Sequence, residues 1–556
     1  MKKVLSVLLA VMMLMMAVAP SFAFAAADSE ATPIVYVRGN GQKIYNADGE
    51  VVVADIGDLT LNDENGGKDK IVEAVFNILT PFLVEGLAFD KWDNYGKAIY
   101  EELSPLFEEA ILDGNGNPQF GTHVDPEMVS KSKANAEKNI VRGDGKYDFY
   151  TYGYYFDWRL DPYEHVDDLH EYIKTVLKST GKSQVSLTSR CLGGSVLNAY
   201  LEKYGSEGLV KNVMFCETLS DGCALISKGF SGQIEIDTLS MQRYMGQLEY
   251  CGELGLGVGF SITEIASDVV AKSIDLLTQT GALDTIAGGV EYLYSRLYKA
   301  LIPALFHSFG YASQPIYWTM VEEEDFDLAL DVMFGEEGSE AREYYAGLIE
   351  KITNYRTKVT SQRDDLYKKW SEEYGIHMGV MAKYGMLNAP FTVGHDDLAD
   401  ALVSLKDSSL GATCAKIDST LSDKYINEKV ANGYGAYISP DKQVDASTCT
   451  FPNTTWFIKN VHHDDFDRVG KELAVKFLNE TNVTVDNSGY ARFRVNNYDD
   501  LTVTEMTEDN CDDLYFITSA EKEPTGQTML ASLFGWLISI FNAILKVFGI
   551  DFTIKI

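Results

Sequence analysis

The stretch SQVSLTSRCLGGSVLNAY, residues 183–200, contains the residue type and spacing with the most direct chemical use. It reads as a short strand, a tight turn and a helix, with Cys191 where the turn is sharpest. A side chain raised on such a turn needs small neighbours two residues before and two after it. Ser189 and Gly193 stand there, and Gly194 lets the helix pack closely. Leu192, Val196, Leu197, Tyr200 and Leu201 share one face of the following helix, as a helix lying on a sheet requires. A thiol at a helix N-terminus has its thiolate stabilised by the helix dipole and nearby amides, and Arg190 adds to that field. The chemistry implied is thiolate attack, which needs a base, a carboxylate to orient the base, and oxyanion donors from elsewhere in the chain. The alternative is a small packing cysteine, which needs none of them.

The elements that would position such a site come from a chain of 556 residues. Lys2 and Lys3, an apolar run from Val4 to Ala19 and the small-residue site Ala23-Phe24-Ala25 read as a secretory signal peptide over residues 1–25, so the mature protein is expected outside the cytoplasm, secreted or membrane-associated. A formal net charge of −35 argues against nucleic acid as a partner and against plain electrostatic attraction to anionic lipid. The seven cysteines are an odd number for an exported chain, so at least one stays unpaired, and Cys191 is the candidate. With eight histidines and no H-E-x-x-H, H-x-H or C-x-x-C pattern, neither a metal nor another cofactor is expected.

Apolar runs such as PIVYVRG, QVSLTS, VKNVMFC, IHMGVMAKYG and TWFIKNV alternate with helical segments, the pattern of an α/β protein with a mainly parallel sheet covered on both faces. We divide the chain into a first core part, 28–221, with a helical insertion at 60–115; a helical cap insertion, 222–369; and a second core part, 370–478. A strand-rich extension, 479–518, a linker, 519–528, and an amphipathic helix, 529–550, complete it. The cap segment carries more apolar helix surface than a simple surface helix needs, which suits a greasy substrate. In the last helix Ser532, Gly535, Ser539, Asn542, Lys546 and Gly549 form one polar stripe, so the segment is expected to lie at a membrane surface instead of crossing it.

Several of these segments, in this order, make the chain resemble the α/β-hydrolase superfamily, in particular its lipase and lecithin:cholesterol-acyltransferase-like branch. PIVYVRGNG is similar to the oxyanion strand and turn, FDWRLDP to the D-W-R-x-x-P stretch, SRCLGG to the lipase box and VMFCETLSDG to the strand that follows it. The resemblance spans roughly residues 33–220 and 375–478, with cysteine in place of the usual serine. It implies an α/β-hydrolase fold and a triad whose acid and histidine follow the nucleophile. His463 ends the strand TWFIKNV like the family's V-x-H ending and is preferred over its neighbour His462. Asp441, after Ser439-Pro440, is the preferred acid. Asp400, in DALVSLKDSS, is the alternative, similar to the D-G-x-V-S form of the acid turn, and Asp445 is a third. Leu192 and Asn40 are the positions the fold offers for oxyanion amides.

Together these readings imply an esterase or lipase-like hydrolase, or an acyltransferase, acting on ester or thioester bonds of an apolar, lipid-like acyl substrate through a thioester acyl-enzyme. The competing reading is a catalytically inactive hydrolase fold used for binding at the cell surface, which would have no chemical reason to keep the acid and the histidine.

Overall fold

The computed structural model describes residues 31–39, 42–52, 92–219, 221–233, 300–388, 392–498 and 500–514, with a few isolated positions between them. The signal peptide, Asn40, most of the first insertion, the middle of the cap insertion, the linker and the C-terminal helix lie outside the described residues.

Eight strands form one sheet: β1 (Ile34–Val37), β2 (Tyr152–Tyr154), β3 (Val185–Cys191), β4 (Val210–Thr218), β5 (His377–Tyr384), β6 (Thr455–Lys459), β7 (Phe493–Asn497) and β8 (Thr502–Glu505). Their spatial order is β8-β7-β6-β5-β4-β3-β1-β2. All neighbours run parallel except β7 and β8. The protein is thus an α/β protein with a mainly parallel sheet and a helical region inserted between β4 and β5. The segment after residue 479 adds β7 and β8 to this same sheet.

Burial explains the strand sequences. β1 (IVYV) and β6 (TWFIK) are buried at every position, so they read as continuous apolar runs instead of alternating ones. β8 (TVTE) is mostly exposed and closes one edge with polar side chains.

Helix α1 (Val166–Thr180) and helix α2 (Gly193–Tyr204) follow β2 and β3, and α3 (Lys471–Asn479) follows β6. One face of the sheet carries α3: Ser186 Oγ and Asn212 Nδ2 both donate to the Leu478 carbonyl, at 2.5 and 3.1 Å. A Cβ on Gly379 would strike the Phe477 ring at 2.5 Å, so β5 is bare at the point where that ring lies on it. On the other face Phe215 meets Tyr367 of the inserted region, ring centroids 5.8 Å apart.

Between β5 and β6, residues 385–454 form an excursion with a small two-stranded sheet, Thr413–Cys414 paired with Val444–Asp445. It carries both Asp400 and Asp441, and its path decides which of them reaches the ends of the strands.

Candidate active site

β3 runs straight into α2 through Cys191, whose φ of 49° places it in the left-handed region. That conformation costs an L-residue on the order of 1 kcal/mol. It lifts the thiol off the strand while the next residues begin the helix. The turn is possible because two glycines let backbones touch. A Cβ on Gly193 would lie 2.4 Å from the Val37 carbonyl oxygen, so α2 starts against the end of β1. A Cβ on Gly39 would lie 2.8 Å from the Arg190 carbonyl oxygen, 2.9 Å from Cys191 Cβ and 3.5 Å from the Leu192 nitrogen. The turn after β1 and the main-chain nitrogen of Leu192 therefore face each other across Cys191. Asn40, the next residue of that turn, lies outside the described residues.

His463 follows β6 and is buried. Its Nδ1 is 2.8 Å from Asp400 Oδ2, and its imidazole is hydrogen-bonded to the Cys191 thiol. Burial alone would make the ring less basic. The Asp400 carboxylate and the thiol outweigh burial, and the pKa rises to about 10. The imidazole thus keeps its proton through neutral pH. His462 points elsewhere: its Nδ1 accepts from the Asp464 amide at 3.3 Å, and burial lowers its pKa.

Asp400 is fully buried. Its Oδ1 accepts from the amides of Leu402 and Val403 at 3.2 and 2.8 Å, and its own carbonyl accepts from the His463 amide at 2.8 Å. Burial would raise its pKa, but His463, Lys383 and the Val403 amide hold it below the ordinary carboxylate value. The turn places Ala401 at φ 83°, in the left-handed region that favours glycine.

The structure corrects the expectation for Asp441. Its Oδ2 accepts from Tyr384 Oη at 2.8 Å and pairs with Lys459 Nζ at 2.9 Å, while its Oδ1 takes the Ser439 hydroxyl and the Gln443 amide. Lys459 is itself buried at the end of β6, and a buried ammonium needs an anion beside it. Asp441 supplies that charge, so it serves Lys459 and not His463. Asp445 is occupied in the same way by Tyr425, at 2.7 Å, and Lys429, at 2.8 Å.

The other described cysteines lack such partners. Burial pushes the thiols of Cys216, Cys223 and Cys449 up to about 12 and raises that of Cys414, which leaves them inert at neutral pH. Among the described residues no cluster of side chains could hold a metal ion.

Two residues of the site had no place in the sequence reading. Lys383, near the end of β5, is fully buried and donates to the carbonyls of His462 and His463 at 3.0 and 2.5 Å. It also pairs with Glu217 at the end of β4, which in turn pairs with Arg190 beside Cys191. Burial lowers the Lys383 pKa and the Asp400 carboxylate opposes that shift. The usable signal was a lysine in phase with Met381 on a strand buried on both faces.

The Asp400–His463 pair has a consequence for stability. A histidine raised from 6.5 to about 10 stabilises the fold fully below pH 6.5, and that contribution disappears as pH climbs through 10. The stability difference between wild type and His463→Gln, measured by urea unfolding, is therefore expected to be largest near pH 6 and to shrink steadily towards pH 10.

No protein-family model and no curated protein matches this chain. Among solved structures it is similar to a chain of the Tle4–Tli4 complex, at 13% sequence identity with a TM-score of 0.23, covering 63% of this chain and 75% of that one.

Proposed function

We propose that the protein is a cysteine-dependent α/β-hydrolase that cleaves or transfers ester or thioester acyl groups, with Cys191 as nucleophile, His463 as its proton partner and Asp400 as the orienting acid. The observation that carries this reading is the continuous hydrogen-bonded line from the Cys191 thiol through His463 to Asp400 Oδ2, raised on a left-handed turn at the sheet's C-terminal edge.

In the mechanism, Cys191 attacks as the thiolate with the proton on His463, and its sulfur adds to the substrate carbonyl carbon. The carbonyl oxygen gains the negative charge and is met by the Leu192 amide and the turn after Gly39, with Asn40 as the second donor. Collapse expels the alcohol or thiol, which takes the His463 proton, and leaves a thioester on Cys191. Water or another acceptor then gives a proton to His463 and attacks the thioester, which expels the sulfur as the thiolate, releases the acid or transferred product and restores the starting thiolate–imidazolium pair. Asp400 keeps its charge throughout and holds the imidazole by Nδ1, so that the other ring nitrogen faces sulfur.

An apolar, lipid-like acyl group is favoured by the composition of the cap insertion, which contains GELGLGVGFSITEIASDVVAKSIDLL. Export and membrane-surface attachment through residues 529–550 belong to the same proposal and rest on the sequence alone. The test is hydrolysis of p-nitrophenyl and thioester substrates of graded chain length by the purified protein. Turnover that improves with acyl length supports the reading. Absence of turnover across the series, with no acyl group retained on the protein, favours a binding role.

A further inference from the structure

A chain of buried charge crosses three strands beneath the candidate active site. Arg190, the last residue before Cys191 on β3, pairs through Nε with Glu217 Oε1 on β4. Glu217 pairs through its other oxygen with Lys383 Nζ on β5. Lys383 then donates to the main-chain carbonyls of His462 and His463. Arg190 also reaches the same loop, with Nη2 3.4 Å from the Asp464 carbonyl and its guanidinium 4.8 Å above the Phe466 ring. Glu217 is 1% exposed and Lys383 is wholly buried, so solvent screens little of this chain.

Such an arrangement is costly unless it is needed. Glu217 sits at φ 48°, a second left-handed non-glycine residue beside Cys191. Lys383 donates to two carbonyls, those of His462 and His463, and forms an ion pair with the Glu217 carboxylate. Burial lowers the Lys383 pKa to about 7, and the Glu217 carboxylate beside it favours the ammonium form. The charges of Arg190, Glu217, Lys383 and Asp400 sum to zero. With Lys383 as its ammonium the cluster is balanced, and loss of Lys383 would leave one uncompensated negative charge in it.

We propose that Lys383, braced by the Arg190–Glu217 pair, is a positioning residue for His463, fixing the loop from which the imidazole reaches Cys191 and tying it to the strand that carries the nucleophile. This rests on the reading of Cys191 and His463 as working partners, and it adds a role for three residues outside the triad.

The test is the rate of iodoacetamide alkylation of Cys191 in the full-length protein, read by peptide mass mapping, so it requires no ester turnover. Lys383→Met is compared with wild type, and again in the His463→Gln background, with near-ultraviolet circular dichroism as the check on folding. A residue acting through His463 slows alkylation roughly tenfold when His463 is present. It has no further effect when His463 is absent. Equal changes in both backgrounds, or no change in a folded Lys383→Met protein, would overturn the proposal. If Lys383→Met fails to fold, Glu217→Gln is put through the same cycle. It retains an acceptor for Lys383 while removing the charge, and the same two patterns decide. Should the wild type acylate nowhere while the cycle still shows coupling through His463, the enzymatic reading fails and the positioning role stands.

Discussion

Cys191→Ala is expected to remove ester turnover, lowering kcat by at least about 10^4-fold, while the protein melts within a few degrees of wild type. The argument is local. Cys191 occupies a left-handed backbone position, and alanine carries the same Cβ, so the strain of the turn is unchanged by the substitution. The substitution deletes a sulfur hydrogen-bonded to His463 and nothing that the sheet depends on. Cys191→Ser is expected to recover only a small part of the loss. A serine hydroxyl is a far weaker acid than a thiol and does not ionise beside the imidazole. Retained turnover in Cys191→Ala on a panel of activated esters would remove the cysteine from the mechanism.

The second large effect separates two aspartates. Asp400→Asn is expected to lower kcat on the order of 10^4-fold, because an amide at 2.8 Å from Nδ1 neither holds the imidazole in the required tautomer nor supports its charge. Asp441→Asn is expected to leave kcat within a few-fold and to act on stability instead. It weakens the pairing of buried Lys459, although Asp513 still pairs with that ammonium at 2.5 Å. The cost should therefore fall below the roughly 3–5 kcal/mol of breaking a buried pair outright. Steady-state kinetics and urea unfolding of the two variants check both halves, and the opposite ranking of kcat would return the acid role to Asp441.

The alternation of apolar runs and helices was enough to read a mainly parallel sheet, because strands buried on both faces announce themselves as unbroken hydrophobic stretches. The small residues around Cys191 were equally plain, since a sharp strand-to-helix turn tolerates little else, and the structure shows Gly193 against the β1 carbonyls. The carboxylate beside His463 was misplaced for a physical reason. Asp441 follows the turn residues Ser439-Pro440 and lies nearer His463 along the chain, but the excursion at 385–454 folds back so that Asp400, 63 residues away, meets the imidazole. Its turn carries Ala401 in a left-handed position that glycine would fill without strain. Lys383 and Glu217 went unread because a lysine near the end of a strand and a glutamate before a loop ordinarily reach solvent. Nothing in their immediate neighbours shows that a histidine loop will close over them.

The most direct test of the Cys191–His463–Asp400 assignment is to trap the acyl-enzyme. The protein is mixed with an activated butyryl ester, quenched in acid within the first turnovers and mapped by mass spectrometry. The account predicts one butyryl group, on the peptide containing Cys191, released by neutral hydroxylamine as a thioester is, and absent from His463→Ala over the same interval. Ester turnover accompanied by an unmodified Cys191, or by an acyl group on a serine or on another cysteine, would contradict it.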